Sequence, residues 1–542
     1  MHNVRLDHFQ RAAADVGENG DNDTLPFDMD VRFVKENQSE LAALAWDFFQ
    51  KLRALPEEAL RGRIRSLPVF FERLLVPAGA SGFRISTKIH PFWNIYLNGL
   101  GVAIAEVHEP SRSARAHSYR YSTTGTKIFK AESSWRSFRE ACIEDVEQAG
   151  DTAIVVQTDI TSFYEHVYHH RVKSLIDELF PEEPSLALQV DLLLGKFSAG
   201  RSFGLPVGGQ CSRILAELLL SEVDKALTDE GVAWRRYVDD YVLISDGQQV
   251  AYKALAKLSH ALADYGLTLN RTKTTFLTSK HFSAYVQTQL GGNDEQASKL
   301  REIDLHFDPY SDRPDDDYQE LKETVGSLEV KTLLDLELNK SHPDTFLVAQ
   351  IGRTLKFHTP DVALQLCKTL LSPRNLHAFR ASWSTIMRGI AAVRGDGDFA
   401  SISGGLDALL DEIPASSGHL LASDASCLHY LRTLRFKKTE RRGVYIRQLF
   451  KESESVTLQR ACIDCWRQWR DRSSFFFARN KWGSLGPEQQ RMLWLAAGNF
   501  DEDGAAFRKQ ERRNALTSWE LGLEQEGDDV VFAKTYMQWC SL

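Results

Sequence analysis

Residues 234–245 read WRRYVDDYVLIS. Aromatic and β-branched residues flank Asp239 and Asp240, so the stretch predicts a strand, a tight turn and a second strand, with two adjacent carboxylates at the turn. Alone, an acidic hairpin turn is ordinary, because aspartate is common in turns. These flanks, however, are apolar enough to bury the hairpin and present its turn to a cleft. Further out, AIVVQTDI (153–160) predicts a buried strand ending on a third carboxylate, Asp159, and LTLN (267–270) predicts a short strand. Taken together, the three have a chemical use. Phosphoryl transfer employs two divalent ions ~3.5–4 Å apart, and Mg²⁺ takes a few carboxylates plus substrate phosphates in preference to a full protein cage. A lone Asp beside an Asp pair supplies that arrangement.

Four segments then fall in a known order. DITSFYEHV (159–167) resembles motif A of reverse transcriptases, GLPVGGQCSRILAE (204–217) resembles motif B, YVDD (237–240) matches motif C, and LTLNRTKT (267–274) resembles motif D. Their separations of roughly 45, 35 and 30 residues suit a palm domain, and the joint match is far more specific than any single motif. The resemblance covers about residues 40–290 and implies an α+β fold with the fingers and palm of a right-hand-type polymerase. It implies RNA-directed DNA polymerase (nucleotidyltransferase) activity on dNTPs, with two Mg²⁺ ions for which Mn²⁺ substitutes. Carried over by position, Asp159, Asp239 and Asp240 are the metal carboxylates, joined by Ile160 beside Asp159. Lys273 is the general acid for pyrophosphate departure. Tyr164 is the steric gate against a 2′-hydroxyl, with Phe163 next to it; one of these two rings must face the core. Gly208 and Ser212 let the motif B backbone approach the nascent pair. Val207 departs from the pattern: templated enzymes often carry Gln there, so a polar contact near nucleotide and template is missing.

Motif B continues as SRILAE, without the Pro common after that Ser in retron and group II intron enzymes. With a helical second half, this is similar to the abortive-infection, defence-associated reverse transcriptases of bacteria. That likeness implies a HEAT-like helical-repeat domain in place of a thumb and a role in anti-phage defence. It also implies DNA synthesis that is non-templated or protein-primed, with Tyr430, Tyr445 and Tyr536 as candidate priming hydroxyls. A templated retron-type enzyme with a bound non-coding RNA, and a non-catalytic defence scaffold, are the alternatives.

The chain has 542 residues and a net charge of −9, which suits several domains and argues against indiscriminate duplex binding. Residues 1–30, with GENGDND, predict a flexible start; 31–295 the fingers and palm; 296–320 an acidic linker; 321–542 an α-helical repeat-like domain. Basic residues cluster at 111–139 and 432–447. In the first cluster Arg120, Lys127 and Lys130 alternate with aromatics, a pattern fit to hold phosphates and stack bases. The second could line a product-strand channel, although a solvated helix face explains such runs more often. Seven cysteines at irregular spacing suit a reducing cytoplasm, and Cys462 and Cys465 read as small residues on a packed helix. No run of 18 or more apolar residues predicts a membrane span. Single-stranded DNA as product and a homo-oligomeric state complete the expectations.

Overall fold

The computed structural model describes residues 3–26, 28–130, 133–290, 295–303, 305, 314–340, 343–522 and 531–540. Two sheets lie in the first half. A hairpin pairs β1 (Phe71–Ala78) with β2 (Gly82–Ile89), and an antiparallel sheet of four strands has the order β4–β5–β3–β6. Here β3 is Ala153–Asp159, β4 is Ala233–Tyr237, β5 is Asp240–Asp246 and β6 is Thr275–Thr278. The apolar runs of β3 and β5 do not alternate with polar residues because both faces are covered. Val155, Val242 and Ile244 meet Phe138, Cys142, Phe282 and Val286 from the helices Trp135–Ala149 and Ser279–Leu290. Val156, Tyr241 and Leu243 join the main core, to which the helix Gln210–Asp229 contributes Leu215, Leu219 and Val223.

Beyond Thr278, every regular element among the described residues is a helix. Thr345–Thr354 packs on Trp383–Gly395, that on Asp424–Leu434, and the series continues through Val456–Gln468 and Pro487–Ala497 to Asp501–Ser518. This half is fastened to the β1–β2 hairpin. Asp424 accepts from Leu75 N at 2.8 Å, Ser423 Oγ donates to Leu75 O at 2.9 Å, and Glu72 accepts from Val456 N and Thr457 N at 2.8 Å each. The polar edge of β1 is thereby satisfied and closed to other strands. Among the described residues no helix is long and apolar enough to cross a membrane. All seven cysteines are free and buried, Cys462 and Cys465 on their helix as read.

Two expectations need correction. Expected as a flexible start, the described part of 1–30 is ordered: Leu6–Asn19 is a helix whose Phe9, Ala12, Ala13 and Val16 are buried against Pro91–His108. The approach is close enough that a Cβ on Gly99 would stand 2.3 Å from the Phe9 ring. The polar turn Gly20–Thr24 that follows is then held by hydrogen bonds and ion pairs with distant residues. LTLN is not a strand; Leu269 makes one isolated bridge to Ile160, and the neighbouring strand is β6. Of the acidic linker, residues 304 and 306–313 lie outside the described residues, and helices Glu295–Glu302 and Pro314–Gly326 flank them.

Candidate active site

Antiparallel register brings the carboxylates together. Asp159, last in β3, stands directly opposite Asp240, first in β5, and Asp239 occupies the turn joining β4 to β5. Ile160 N donates to Asp239 O at 3.2 Å and so ties the end of β3 to that turn. Lys273 Nζ lies 2.8 Å from Asp159 Oδ2, with its side chain 63% exposed. Motif D makes a second contact through a residue the sequence reading did not single out. Asn270 N donates to Asp159 O at 2.7 Å, and Asn270 Nδ2 donates to Asp159 Oδ2 at 3.3 Å.

The electrostatics are those of a cation-binding site. Burial, then the charges of Asp159 and Asp240, push Asp239 up to about 7. Burial and Asp159 raise Asp240 as well, opposed by the charges of Arg139 and Lys273. Half-buried carboxylates that repel one another are relieved by a divalent ion, and the Lys273 ammonium stands against Asp159 as a monovalent one. Among the described residues no group of three or more His, Cys, Asp or Glu side chains is placed to hold a metal ion. Arg139, the last of the basic 111–139 run, is buried with its guanidinium 5.0 Å from the Trp135 ring centre and is a further cation on the Asp240 side.

The substrate residues divide. Phe163 is 2% exposed and belongs to the core, so its assignment to the substrate is corrected. Tyr164 is half-buried and packs against the same core, its ring centre 5.4 Å from that of Phe163. Burial above all, then its charged neighbours, pushes the Tyr164 hydroxyl well up. Ser212 is buried and its Oγ donates to Pro206 O at 2.6 Å, so its side chain shapes the motif B turn.

Gly208, with φ +115°, does have the open face expected of it, but that face is filled from within the chain. A Cβ there would meet Asn22 Nδ2 at 2.2 Å. Asn22 is held by Ser86 Oγ (2.9 Å) and Thr87 O (3.2 Å), and Asp23 N donates to Gly208 O at 3.3 Å. Asp23 also pairs with Arg213, whose guanidinium lies 5.1 Å from the Tyr119 ring centre. Val207 O accepts from Thr87 N at 2.9 Å, fastening motif B to β2.

Arg120 is not free to hold phosphate. It pairs with Glu109 at 2.6 Å and donates to Ser113 O at 2.9 Å. Lys127 and Lys130 are exposed on the same fingers loop. Two priming candidates are corrected. Tyr430 is 1% exposed and donates to Leu410 O at 2.8 Å, and Tyr536 is 0% exposed inside an aromatic cluster. Burial raises both hydroxyls, so neither is an available nucleophile. Tyr445 is half-buried, its hydroxyl 3.6 Å from Cys427 Sγ, and burial raises that hydroxyl as well, so it differs from the other two in exposure alone.

No curated protein matches the sequence. Among solved structures, apo telomerase from Candida tropicalis is similar at 12% identity and TM-score 0.32, over 67% of this chain and 68% of that one. Telomerase from Candida albicans, bound to a fragment of telomeric RNA, is similar at 11% identity and TM-score 0.31, over 65% and 67%. Residues 111–304 match the family described as reverse transcriptase (RNA-dependent DNA polymerase), so this chain carries a reverse-transcriptase domain and is an enzyme of that polymerase class.

Proposed function

We propose that this enzyme makes DNA from dNTPs with little or no template, in anti-phage defence. The observation that carries the template reading is the seat of Asn22. The space a motif B glycine leaves for a nascent pair is taken by the chain's own amide, and Asp23 secures it through Arg213. Val207, unlike Gln, offers no side-chain amide there. The defence role rests on the likeness of SRILAE and on the stacked helices after the palm, which suit a HEAT-like repeat domain.

Asp159, Asp239 and Asp240 would hold Mg²⁺, which when bound supplies Lewis-acid activation of the attacking oxygen and of the triphosphate. The protein's own part is positional. Asn270 and Lys273 orient Asp159, and Lys273 stands where a proton could pass to departing pyrophosphate. Tyr164 borders the sugar side. Among the sequence's three priming candidates, Tyr445 is the one that keeps contact with solvent.

Nuclease-treated protein incubated with Mg²⁺ and one labelled dNTP tests the template reading. Incorporation without added nucleic acid supports it. Activity restored only by co-purified RNA overturns it and favours a retron-like templated enzyme. Protease treatment before electrophoresis tests priming, because label that moves with protein is covalently attached.

The helical half offers a place for a single-stranded product. Of the basic run 432–447, Lys438 pairs with Asp471 (2.9 Å), Arg442 with Asp407 (3.1 Å), Arg441 with Glu412 and Lys437 with Asp407 (3.9 Å), while Arg447 bonds Ser474 (2.9 Å). Arg432 and Arg435 remain, joined by Arg388 from Trp383–Gly395; among the described residues no carboxylate lies within ion-pair distance of these three. Burial and the charges of Arg435 and Arg388 push Arg432 down to about 10, as expected of crowded cations without a counter-ion. His429, one turn away, approaches Thr24 O at 3.2 Å, which places the cluster beside the segment that covers motif B. The triple variant R388Q/R432Q/R435Q is expected to bind an oligo-dT strand more weakly and to lower the slope of log K against log[salt] by about 2. An unchanged slope places the strand elsewhere.

A further inference from the structure

Val238 is a β-branched residue at φ +57°, in the left-handed region that such residues avoid. It immediately precedes Asp239, so the direction in which Asp239 and Asp240 point depends on keeping it there. Both of its peptide groups are held by side chains. Val238 N donates to Ser118 Oγ at 2.8 Å, and Arg236 Nη1 donates to Val238 O at 2.9 Å. Neither holder is itself free to move. Ser118, 0% exposed, donates to Glu217 Oε1 at 2.5 Å. Arg236, also 0% exposed, pairs with Glu217 at 3.0 Å and with Asp224 at 2.7 Å. Arg112 pairs with Glu217, and Tyr241 Oη donates to Asp224 at 2.8 Å. Glu217 and Asp224 both stand on the helix Gln210–Asp229, which opens at the motif B turn.

We propose that Ser118 and Arg236 are positioning residues for the polymerase reaction: they clamp Val238 in its strained conformation and so pre-set Asp239 and Asp240 opposite Asp159, with Glu217 and Asp224 as the rigid anchor. The inference rests on the carboxylates being the reacting centre and deepens that reading. It does not depend on whether a template is used. Strain at a residue next to the reacting groups persists only when its surroundings over-determine it, and here two hydrogen bonds from a buried ion network do so. Four charged side chains are a costly way to fill a core, since apolar residues of equal volume serve stability as well or better. A clamp is a use that apolar residues cannot fulfil.

The test is a double-mutant cycle between Ser118→Ala and Val238→Gly, in full-length protein whose fold is checked by circular dichroism. Glycine takes φ +57° without steric cost, so the clamp should matter less in its presence. S118A alone is expected to reduce incorporation about tenfold and to raise the Mg²⁺ concentration for half-maximal rate. Added to the Val238→Gly protein, the same change is expected to cost under about threefold. Hydrogen exchange of the 236–241 peptide reads the clamp without activity: S118A should speed exchange in the protein that keeps Val238. Equal losses in both backgrounds, or exchange unaltered by S118A, overturn the proposal. Absence of incorporation in the unmutated protein would instead remove the polymerase reading, while the exchange result would still report on the clamp.

Discussion

Replacing Asp239 and Asp240 together by asparagine abolishes nucleotide incorporation, by about a thousandfold or more, and at the same time makes the metal-free protein more stable. The two effects share one cause. Asp239 is pushed up to about 7 by burial and by its neighbours Asp159 and Asp240, so the ionised cluster is held together against its own repulsion. Asparagine keeps the shape and removes the charge, which is worth roughly 1–2 kcal/mol to the folded state when no cation is present. Thermal melts in EDTA should therefore place the variant above wild type. Mg²⁺ with dNTP should then raise the wild-type midpoint and leave the variant's unmoved. A variant that still incorporates nucleotide, or that melts lower in EDTA, contradicts this assignment of the centre.

The second large effect is structural and lies away from the carboxylates. Arg460→Met is expected to destabilise the protein by about 3–5 kcal/mol. Arg460 is 5% exposed and lies 2.7 Å from Asp30, itself 1% exposed. The network extends to Glu488 at 3.8 Å, from Arg491 to Asp30 at 3.8 Å, and from Lys88 to Asp28 at 3.0 Å. It joins the N-terminal segment, β2 and the helical half. Removing one cation leaves Asp30 short of charge where water cannot reach it. Pairing R460M with Asp30→Leu should recover part of the loss, because the stranded charge is then gone. Urea unfolding followed by tryptophan fluorescence measures both; a single variant within about 1 kcal/mol of wild type would show that the network does not hold the halves together.

The elements that carry the three carboxylates were legible because each is local. A two-residue turn between β-branched runs and a strand ending on Asp each have a length scale of a few residues, and pattern reading works at that scale. The N-terminal segment was not legible. GENGDND looks like loose chain, and what fixes it is the fit of Phe9 against Gly99 together with pairs from Asp21, Asn22 and Asp23 to Lys88, Ser86 and Arg213, all remote in sequence. Arg120 reads as a free cation until Glu109 is seen beside it. Tyr430 and Tyr536 read as hydroxyls on helices, and only the packing of those helices decides that they are buried. Phe163 and Tyr164 could not be separated beforehand, because only the packing decides that the first is buried and the second half-buried. A signal for Arg236 was present and unused. It shares the inward face of β4 with Trp234, and a charge at a core register position implies a buried partner.

The central claim is a polymerase centre of Asp159, Asp239 and Asp240 that substrate phosphates complete. It is tested most directly by titrating Mn²⁺ into the protein and following bound ion by electron paramagnetic resonance, with and without dNTP. Mn²⁺ binding should be weak alone, strengthen when dNTP is added beyond the affinity of dNTP itself for the ion, and be lost in the Asp239→Asn/Asp240→Asn protein. Binding that ignores dNTP, or that survives in the variant, would contradict it.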